Sequence, residues 1–423
     1  MAESKVRIRF PAGGKQNANI DVTVDQTDLV LYTNVFPAKE WSLTDDVMNL
    51  SDSAAVTIAN DNGENSGKIT VGQLIIIDES DPDVASGQWI RQFTGRVTAV
   101  ETNSDVQGGS NIMVTAMDLG WHLTSSHGPP LKNIKSIRFQ KLLDLLIDPS
   151  WGLAPTETDG DLNTRLKHGR QVIVQDHKPQ LGAILPFIQI EPGQSPFDIL
   201  RTYVQREGLL INVGAKGQLI FFRPNYKNQP LFKVEYHSTK ETHGDSEFAL
   251  IGRPTLRESI DGLYSEVQCW STVVIPPEIA NSENPNEMYR HTTYKPSENP
   301  LPFARRHVFS DGEAINPALR KNRATWKFQI DAFNSWEYSC EFPRHSQSGG
   351  FFTSNTMISI DDTVNKVPKG DYFIQRVQRS LTLRDGKRTK LTIRKPGLLN
   401  PDLQALKIGG GAKNAAKAHK AVK

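Results

Sequence analysis

Two distant stretches of this chain spell the same order of strands. In one, LIIID at Leu74 is followed nineteen residues on by FTGRVTAVE at Phe93 and, after nineteen more, by IMVTAMD at Ile112. In the other, MISIDD at Met357 is followed sixteen residues on by FIQRVQRSL at Phe373 and eighteen later by LTIRK at Leu391. Both carry a Phe-x-x-Arg-Val core: Phe93, Arg96 and Val97 against Phe373, Arg376 and Val377. Alternation of apolar and polar residues over such lengths makes half-buried strands. Repetition at this scale predicts two similar barrels, one early and one late.

The chain between and around these stretches predicts a mainly β fold with an α+β insert. Up to about Gly128 it is a run of short β patterns: KVRIRF at Lys5, DLVLYTNVF at Asp28, SAAVTIA at Ser53, GQLIIID at Gly72, QFTGRVTAV at Gln92 and NIMVTAMD at Asn111. Turn-forming clusters at Asp61–Gly63 and Gln107–Gly109 punctuate them, which points to a closed or sandwiched β domain rather than a βαβ sheet. Residues 129–245 differ in kind. FQKLLDLLIDPSWG from Phe139 has helical apolar spacing and stops at Pro149. Further on, Ser195 takes an N-cap position, Pro196 the first helical position, and Asp198 completes a Ser-x-x-Asp capping box. Phe197, Ile199, Leu200, Tyr203 and Val204 form the apolar stripe of that helix and Gly208 its stop. Leu209–Val213 and Gln218–Phe222 follow as a hairpin turning around Gly214–Gly217.

From Ser246 the β character returns in LYSEVQCWSTVVI, WKFQIDAF, TMISIDD, DYFIQRVQRSLTL and TKLTIRK. Asp385 and Gly386 turn a hairpin between alternating Leu381, Leu383 and Leu391, Ile393. A polar, proline-rich excursion over residues 276–312 is too long for an ordinary turn, and a helix at about Glu313–Arg323 leads into Trp326. No acid follows Asp402, while Lys407, Lys413, Lys417, Lys420 and Lys423 run on behind Gly409–Gly411. The expected organisation is a first β domain at 1–128, an α+β region at 129–245, a second β domain at 246–398 and a flexible basic tail at 399–423.

Motifs that carry chemistry are imitated but not completed. A nucleophile elbow needs a glycine two residues after its serine, and Phe197 stands there after Ser195. GENSGKIT at Gly63 resembles a phosphate loop, yet it is one residue short and has Ile69 where a hydroxyl would hold magnesium, so it reads as a hairpin turn. The ten histidines include no His-x-x-x-His pair, and His122 with His127 and His237 with His243 lack further ligands at useful spacing. Asp45/Asp46 and Asp361/Asp362 sit beside turns, where solvation explains them more simply than glycosidic chemistry. Phe221, Phe222 and Arg223 imitate a surface for single-stranded nucleic acid, but a strand end at a domain edge is the commoner cause. The sequence therefore assigns no catalytic, cofactor-binding or metal-binding residue.

The totals narrow the class further. Lys plus Arg is 49 against 47 for Asp plus Glu, and a net charge of +2 gives no case for nucleic acid as the main partner. Cys269 and Cys340 are too few for a disulfide framework and are expected as buried thiols in a reducing compartment. MAESKVRIRF lacks the apolar region of a signal peptide, and LGAILPFIQI from Leu181 is too short to span a bilayer, so no membrane insertion is expected.

One family spells these elements in the same order. An apolar strand, Gln-x-x-Pro-Gly-x-Ser-x-x-Asp-x-Leu, a helix, Gly-Leu-Leu and a hairpin across Gln189–Phe222, then a late β domain ending FIQRVQRSLTLRDGKRTKLTIRKPGLLNP, resemble the Mu-like baseplate hub proteins of contractile phage tails, which include the late control protein D type. Two features depart from the family pattern: GFFTSNT at Gly350 stands where a Pro/Gly-marked start is usual, and the excursion from Pro276 is long. The resemblance implies two tube-like β-barrels flanking the central region, and a homotrimer whose six barrels stack on a sixfold tail tube while its threefold end receives a trimeric central spike. It further implies a structural, non-enzymatic role without cofactors, in the baseplate of the virion tail after assembly in the host cytoplasm. Tape-measure and baseplate wedge proteins are the additional partners it suggests. The alternatives are a hub with a built-in peptidoglycan hydrolase, and a receptor-binding tip protein using the Pro276 loop.

Overall fold

The computed structural model describes residues 5–10, 20–24, 38–60, 63–82, 84, 88–105, 109–126, 134–138, 142, 146, 172–174, 184–188, 193–206, 209–222, 224, 226, 228–237, 248, 250–271, 291–297, 300–311 and 317–396. Strands dominate. The first part holds β1 (Lys5–Phe10), β2 (Ile20–Val24), β3 (Ala38–Asp46), β4 (Ser53–Ala59), β5 (Leu74–Ser80), β6 (Ile90–Asp105), β7 (Gly109–Asp118) and the short helix α1 (Trp121–Ser125). The middle contributes β8 (Ile134–Arg138), β9 (Val172–Val174), β10 (Ile184–Ile188), helix α2 (Pro196–Arg206), β11 (Leu210–Val213) and β12 (Leu219–Phe222). Then come β13 (Phe232–Tyr236), β14 (Thr255–Glu258), β15 (Glu266–Trp270), β16 (His291–Tyr294), β17 (Arg306–Ser310) and helix α3 (Pro317–Asn334). The last strands are β18 (Trp336–Phe342), β19 (Ser346–Gln347), β20 (Gly350–Phe351), β21 (Thr356–Asp362), β22 (Val367–Thr382) and β23 (Gly386–Arg394).

Two strand sets share one sheet. The first runs β3-β4-β7-β6-β5-β1-β2, and the second runs β14-β18-β23-β22-β21-β13. Matched in chain order, β1, β3, β4, β5, β6 and β7 correspond to β13, β14, β18, β21, β22 and β23, and the two spatial orders are then the same. One pairing differs in sense: β1 meets β5 antiparallel, whereas β13 meets β21 in parallel. β13 falls within the stretch expected to be the middle region, and by its pairing it belongs to the second sheet. The sets are joined edge to edge where β22 pairs antiparallel with β3, from Arg376↔Asp46 to Thr382↔Glu40.

Backbone marks give the register of the repeat. Against its partner β7, β6 slips between Val97 and Ala99, and against β23, β22 slips between Ile374 and Arg376. Such bulges place an extra residue on one strand. Thr98 thus corresponds to Gln375, and the hairpin ends Asp105↔Gly109 and Thr382↔Gly386 agree with the same offset. The Phe-x-x-Arg-Val match is therefore corrected by three residues: Arg96 corresponds to Phe373, and Ala99 to Arg376. An odd slip exchanges the two faces of a strand, so a short side-chain motif is a weaker guide than a bulge and a hairpin.

Each set has its own core. Ile8, Phe10, Trp41, Val56, Ile77 and Val114 pack in the first, together with Leu381 from β22. Tyr338, Phe342, Ile358, Ile374, Leu391 and Ile393 pack in the second. In the middle, Leu142 and Leu146, one helical turn apart and both fully buried, meet Leu200, Val204, Ile211 and Phe221. Burial at roughly 1.5–3 kcal/mol per large side chain makes this packing, not the cap at Ser195, the main support of α2. The cap itself forms: Ser195 Oγ accepts the Asp198 N–H at 3.1 Å and donates to Asp198 Oδ2 at 2.7 Å. The Tyr203 side chain, Gly208, most of the Phe139 segment, the DLVLYTNVF pattern and the basic tail lie outside the described residues.

Four sequence expectations are corrected. WKFQIDAF is not a strand but the second half of α3, which extends to Asn334. Its alternation arises because two helix faces are buried: Trp326 and Phe333 pack with Phe222 and Phe373, while Ala324, Phe328 and Ala332 pack under Val267 and Cys269. The 276–312 excursion contains β16 and β17, which flank β15 in a three-stranded sheet. GENSGKIT is not a hairpin turn, because it connects β4 to β5 and these are not neighbours. Leu383 does not continue the buried row of Leu381; it stands 66% exposed at the hairpin tip, where Gly386 takes φ 67°.

This last contrast is testable by urea unfolding. Leu381→Ala is expected to cost about 2–5 kcal/mol, and Leu383→Ala less than about 0.5 kcal/mol. Equal losses would contradict the assigned register.

Candidate functional site at the joint of the two sheets

The chemistry-bearing residues found in the sequence do not converge. Ser195 is spent on its cap, and Phe221 and Phe222 are buried in strand β12 rather than displayed. Ile69 of the phosphate-loop imitation is buried in the first core. His122 is partly buried beside Trp121 and His237 is largely exposed, while His127, His243 and Arg223 lie outside the described residues. Among the described residues no group of three or more His, Cys, Asp or Glu is arranged to hold a metal, and no helix is long and apolar enough to cross a membrane. Cys269 and Cys340 are free and buried, and burial pushes the Cys269 thiol up to about 11 and that of Cys340 higher still.

What does converge is a set of buried charges along the β22–β3 joint. Alternation on β22 sends Val377, Arg379 and Leu381 inward, so a guanidinium sits in the row between two apolar side chains. Arg379 Nη1 lies 3.3 Å from Glu79 Oε2 and donates to Gln92 Oε1 at 2.9 Å. His345 closes the group: its Nδ1 is 3.5 Å from Glu79 Oε1, its Nε2 donates to the Ser380 carbonyl at 2.9 Å, and its ring meets Trp41 edge-on. Burial alone would raise the Glu79 carboxyl, but Arg379 and His345 outweigh it and hold it below the ordinary range. Glu79 belongs to β5 and Arg379 to β22, so this ion pair ties the first strand set to the second.

Removing one partner of a buried ion pair leaves an uncompensated charge and costs about 3–5 kcal/mol, whereas replacing both with apolar residues costs far less. Arg379→Leu is expected to destabilise by that amount, and the double variant Arg379→Leu/Glu79→Leu to recover part of the loss. A double-mutant cycle in urea measures it, and additive losses would show that the two charges are not coupled.

In each acid pair beside the turns, the second aspartate is not solvated as expected. Asp46 is 1% exposed; it accepts the Met48 N–H at 3.0 Å and pairs with Arg376 Nε at 2.6 Å. Asp362 is equally buried and accepts from the Tyr338 hydroxyl at 2.8 Å. The turns that hold them are packed under neighbouring strands, so protein donors replace water. Next to Asp46, Asp45 accepts from Ser354 in the second set, through its backbone N–H at 3.0 Å and its hydroxyl at 2.5 Å.

A cleft of about 730 Å³ lies at this joint, lined by Asp45, Asp52, Asp118, Arg379, Asn212 and Ser354 among others. The β11–β12 hairpin forms one wall: the Ala215 carbonyl accepts from Thr94 Oγ1 at 2.8 Å, and Gly217, at φ 78°, sits where a Cβ would meet Leu119 Cδ1 at 2.6 Å. Asp52 and Asp118 are linked by the Asp52 N–H, which donates to Asp118 Oδ2 at 2.9 Å. Burial raises the Asp118 carboxyl to about 7, and burial together with the charges of Asp45 and Asp118 raises Asp52 well above its ordinary value. A folded-state value above the unfolded one means the folded chain holds protons that the unfolded chain has released. Stability contributed by these groups is present at acid pH and is lost as pH rises toward about 7.

Asp52→Asn retains an oxygen for the Asp46 N–H, which Asp52 Oδ1 accepts at 2.9 Å, while removing the charge. It is expected to raise the melting temperature at pH 8 and to flatten its fall between pH 5 and pH 8. A scan in which the variant and the parent fall in parallel would count against a coupled, proton-holding pair.

Compared by sequence, the chain matches no protein-family model and no curated protein. Compared by structure, it is similar end to end to the tail protein of Neisseria meningitidis MC58, with a TM-score of 0.67, 15% identity, and coverage of 95% of this chain and 99% of that one. The 43 kDa tail protein of prophage MuSo2 from Shewanella oneidensis is similar at a TM-score of 0.65 and 17% identity, covering 93% and 100%. In the Francisella PdpA–VgrG complex a chain matches at a TM-score of 0.53 and 10% identity, over 93% of this chain and 53% of its own. The chain is thus mainly β and has the fold of tail proteins from end to end, the fold that the resemblance read in its sequence implied.

Proposed function

We propose that this chain is a structural baseplate hub protein of a contractile phage tail, working by matching symmetries and not by catalysis. Three copies form a ring whose six strand sets are quasi-equivalent. One side seats the hexameric tail tube and the other receives the trimeric central spike. The observation that supports this most directly is the repeat: two strand sets with the same spatial order, joined edge to edge within one chain. A threefold assembly offers a sixfold partner full contact only when each chain presents the binding surface twice. The fold shared with two tail proteins supports the same reading. On it, residues 1–128 and 246–398, with β13 added to the latter, are the two tube-like barrels, and 129–245 up to β12 is the region between them. The protein works in the baseplate of the virion tail, after assembly in the host cytoplasm.

Native mass measurement of the purified chain tests the proposal. A particle three times the 47.2 kDa of one chain is expected, and it should bind tail-tube protein through interfaces above about 2,000 Å². A stable monomer indifferent to tube protein would refute it.

A further inference from the structure

The repeat leaves one joint made and another unmade. β22 is covered on both edges: by β23 along one, and along the other by β21 as far as Ile374 and by β3 from Arg376 onward. Its counterpart β6 pairs with β5 only as far as Arg96, and from Thr98 onward no described strand ladders to the edge opposite β7. Exposure follows: Val377, Arg379 and Leu381 are buried, whereas Glu101, Thr102, Asn103 and Ser104 are exposed. The counterpart of β3 is β14, the terminal strand of the sheet, whose outer edge is unpaired among the described strands. A long unpaired edge is a template for another chain.

The internal joint supplies the register for the missing one. With the bulges aligned, Thr115 of β7 corresponds to Thr392 of β23; these pair with Ala55 and Ser339, which in turn pair with Ser42 and Thr255. Ser42 therefore corresponds to Thr255. Since Ser380 faces Ser42 and Gln378 faces Thr44, their counterparts bring Asn103 opposite Thr255 and Glu101 opposite Arg257.

Three independent features suit that register. The Val47 N–H donates to the Gln375 carbonyl at 3.0 Å, which sets the alternation so that Val100 and Thr102 meet Glu258 and Leu256 in hydrogen-bonded pairs. On β14 the Ser259 N–H points the other way, to Ser335, so Leu256 and Glu258 do direct their backbone groups outward. Val47 is 1% exposed, yet its counterpart Ile260 is 58% exposed, as a residue awaiting the same cover would be. Finally, Glu101 and Arg257 carry opposite charges, fall at a non-hydrogen-bonded position where side chains come closest, and make no ion pair with any described residue of their own chain. Pro254 corresponds to Trp41, which in the internal joint pairs with Leu381 and is followed by one more rung, Glu40 with Thr382; lacking an N–H, Pro254 ends the ladder earlier between molecules.

We infer that the free edge of β6 pairs antiparallel with β14 of a second copy of this chain, Glu101 against Arg257 and Asn103 against Thr255, repeating the β22–β3 joint between molecules. The contact is heterologous, since each copy gives β6 to one neighbour and β14 to the other, and such contacts close into a ring when the rotation between neighbours is a whole fraction of a turn, a third of a turn for three copies. The inference rests on the ring proposed above and names the edges that close it.

Full-length protein tests both together and separately. Glu101→Arg and Arg257→Glu each place like charges face to face and are expected to weaken association by roughly fivefold per joint, with the double variant restored. Asn103→Cys/Thr255→Cys, on oxidation, is expected to give covalent trimers on a non-reducing gel, with Cys269 and Cys340 too buried to contribute. The out-of-register pair Asn103→Cys/Glu258→Cys should not cross-link. A parent trimer that ignores both charge reversals and yields no cross-link would overturn this edge assignment while leaving the ring intact. A monomeric parent in the presence of tube protein would overturn both.

Discussion

Strand β22 is the element on which the rest of the molecule depends. Its first half completes the second strand set through β21, its second half completes the first through β3, and the passage from one to the other falls at the bulge around Gln375. A bulge bends its strand and tightens the local twist, so one continuous ladder can serve two curved sheets. Leu381 reaches the first core while Ile374 and Val377 reach the second. A flexible linker would leave the two sets free to rotate; a shared strand holds them at one angle, as any ring built from them requires.

The buried charges along that strand act on specificity more than on net stability. An ion pair such as Arg379–Glu79 gains little over apolar residues of similar size, because desolvation offsets the attraction. A slip of one residue, however, would carry Arg379 to the other face and leave Glu79 buried without its cation. The pair therefore penalises the wrong register strongly while rewarding the right one weakly. On the cleft side the balance is reversed. Among the described residues no cation pairs with Asp52 or Asp118, and their proximity works against the folded state once both are ionised. Acid weakens the joint through Glu79, whose depressed carboxyl must be protonated, and a rise toward about pH 7 weakens it through the aspartates, so the joint is firmest between.

The insertions occupy the space around the joint without breaking the repeat. The β15–β17 sheet and α3 lie between β14 and β18 in the chain, and α3 uses one face for that small sheet and the other for Phe222 and Phe373. The β11–β12 hairpin reaches the first set through Thr94 and Leu119. Such additions explain why the two strand sets agree in order and register yet differ in what covers them.

Local patterns were legible in the sequence because they depend on neighbours along the chain. Period-two alternation marked β1 and β4–β7 early and β21–β23 late, and the Ser195 cap needed only the four residues that make it. Even the buried Arg379 left a trace, a charge on the apolar row of Val377 and Leu381. Residues whose surroundings come from elsewhere were misread: α3 alternates because two different cores flank it, Leu383 is exposed because the hairpin ends there, and Asp46 is dry because β22 lies over it. The strands β2, β3, β8, β9, β13, β14 and β16–β20 went unread, β3 because its short apolar row, Trp41 and Leu43, is flanked by charges. By itself the sequence determined that β1, β4–β7 and β21–β23 are strands, where the last hairpin turns, and that the pattern occurs twice. Only the tertiary structure decided which edges meet, in what register and around which charges. The reason is physical: alternation is a property of one strand, whereas pairing and burial are set by residues hundreds of positions away.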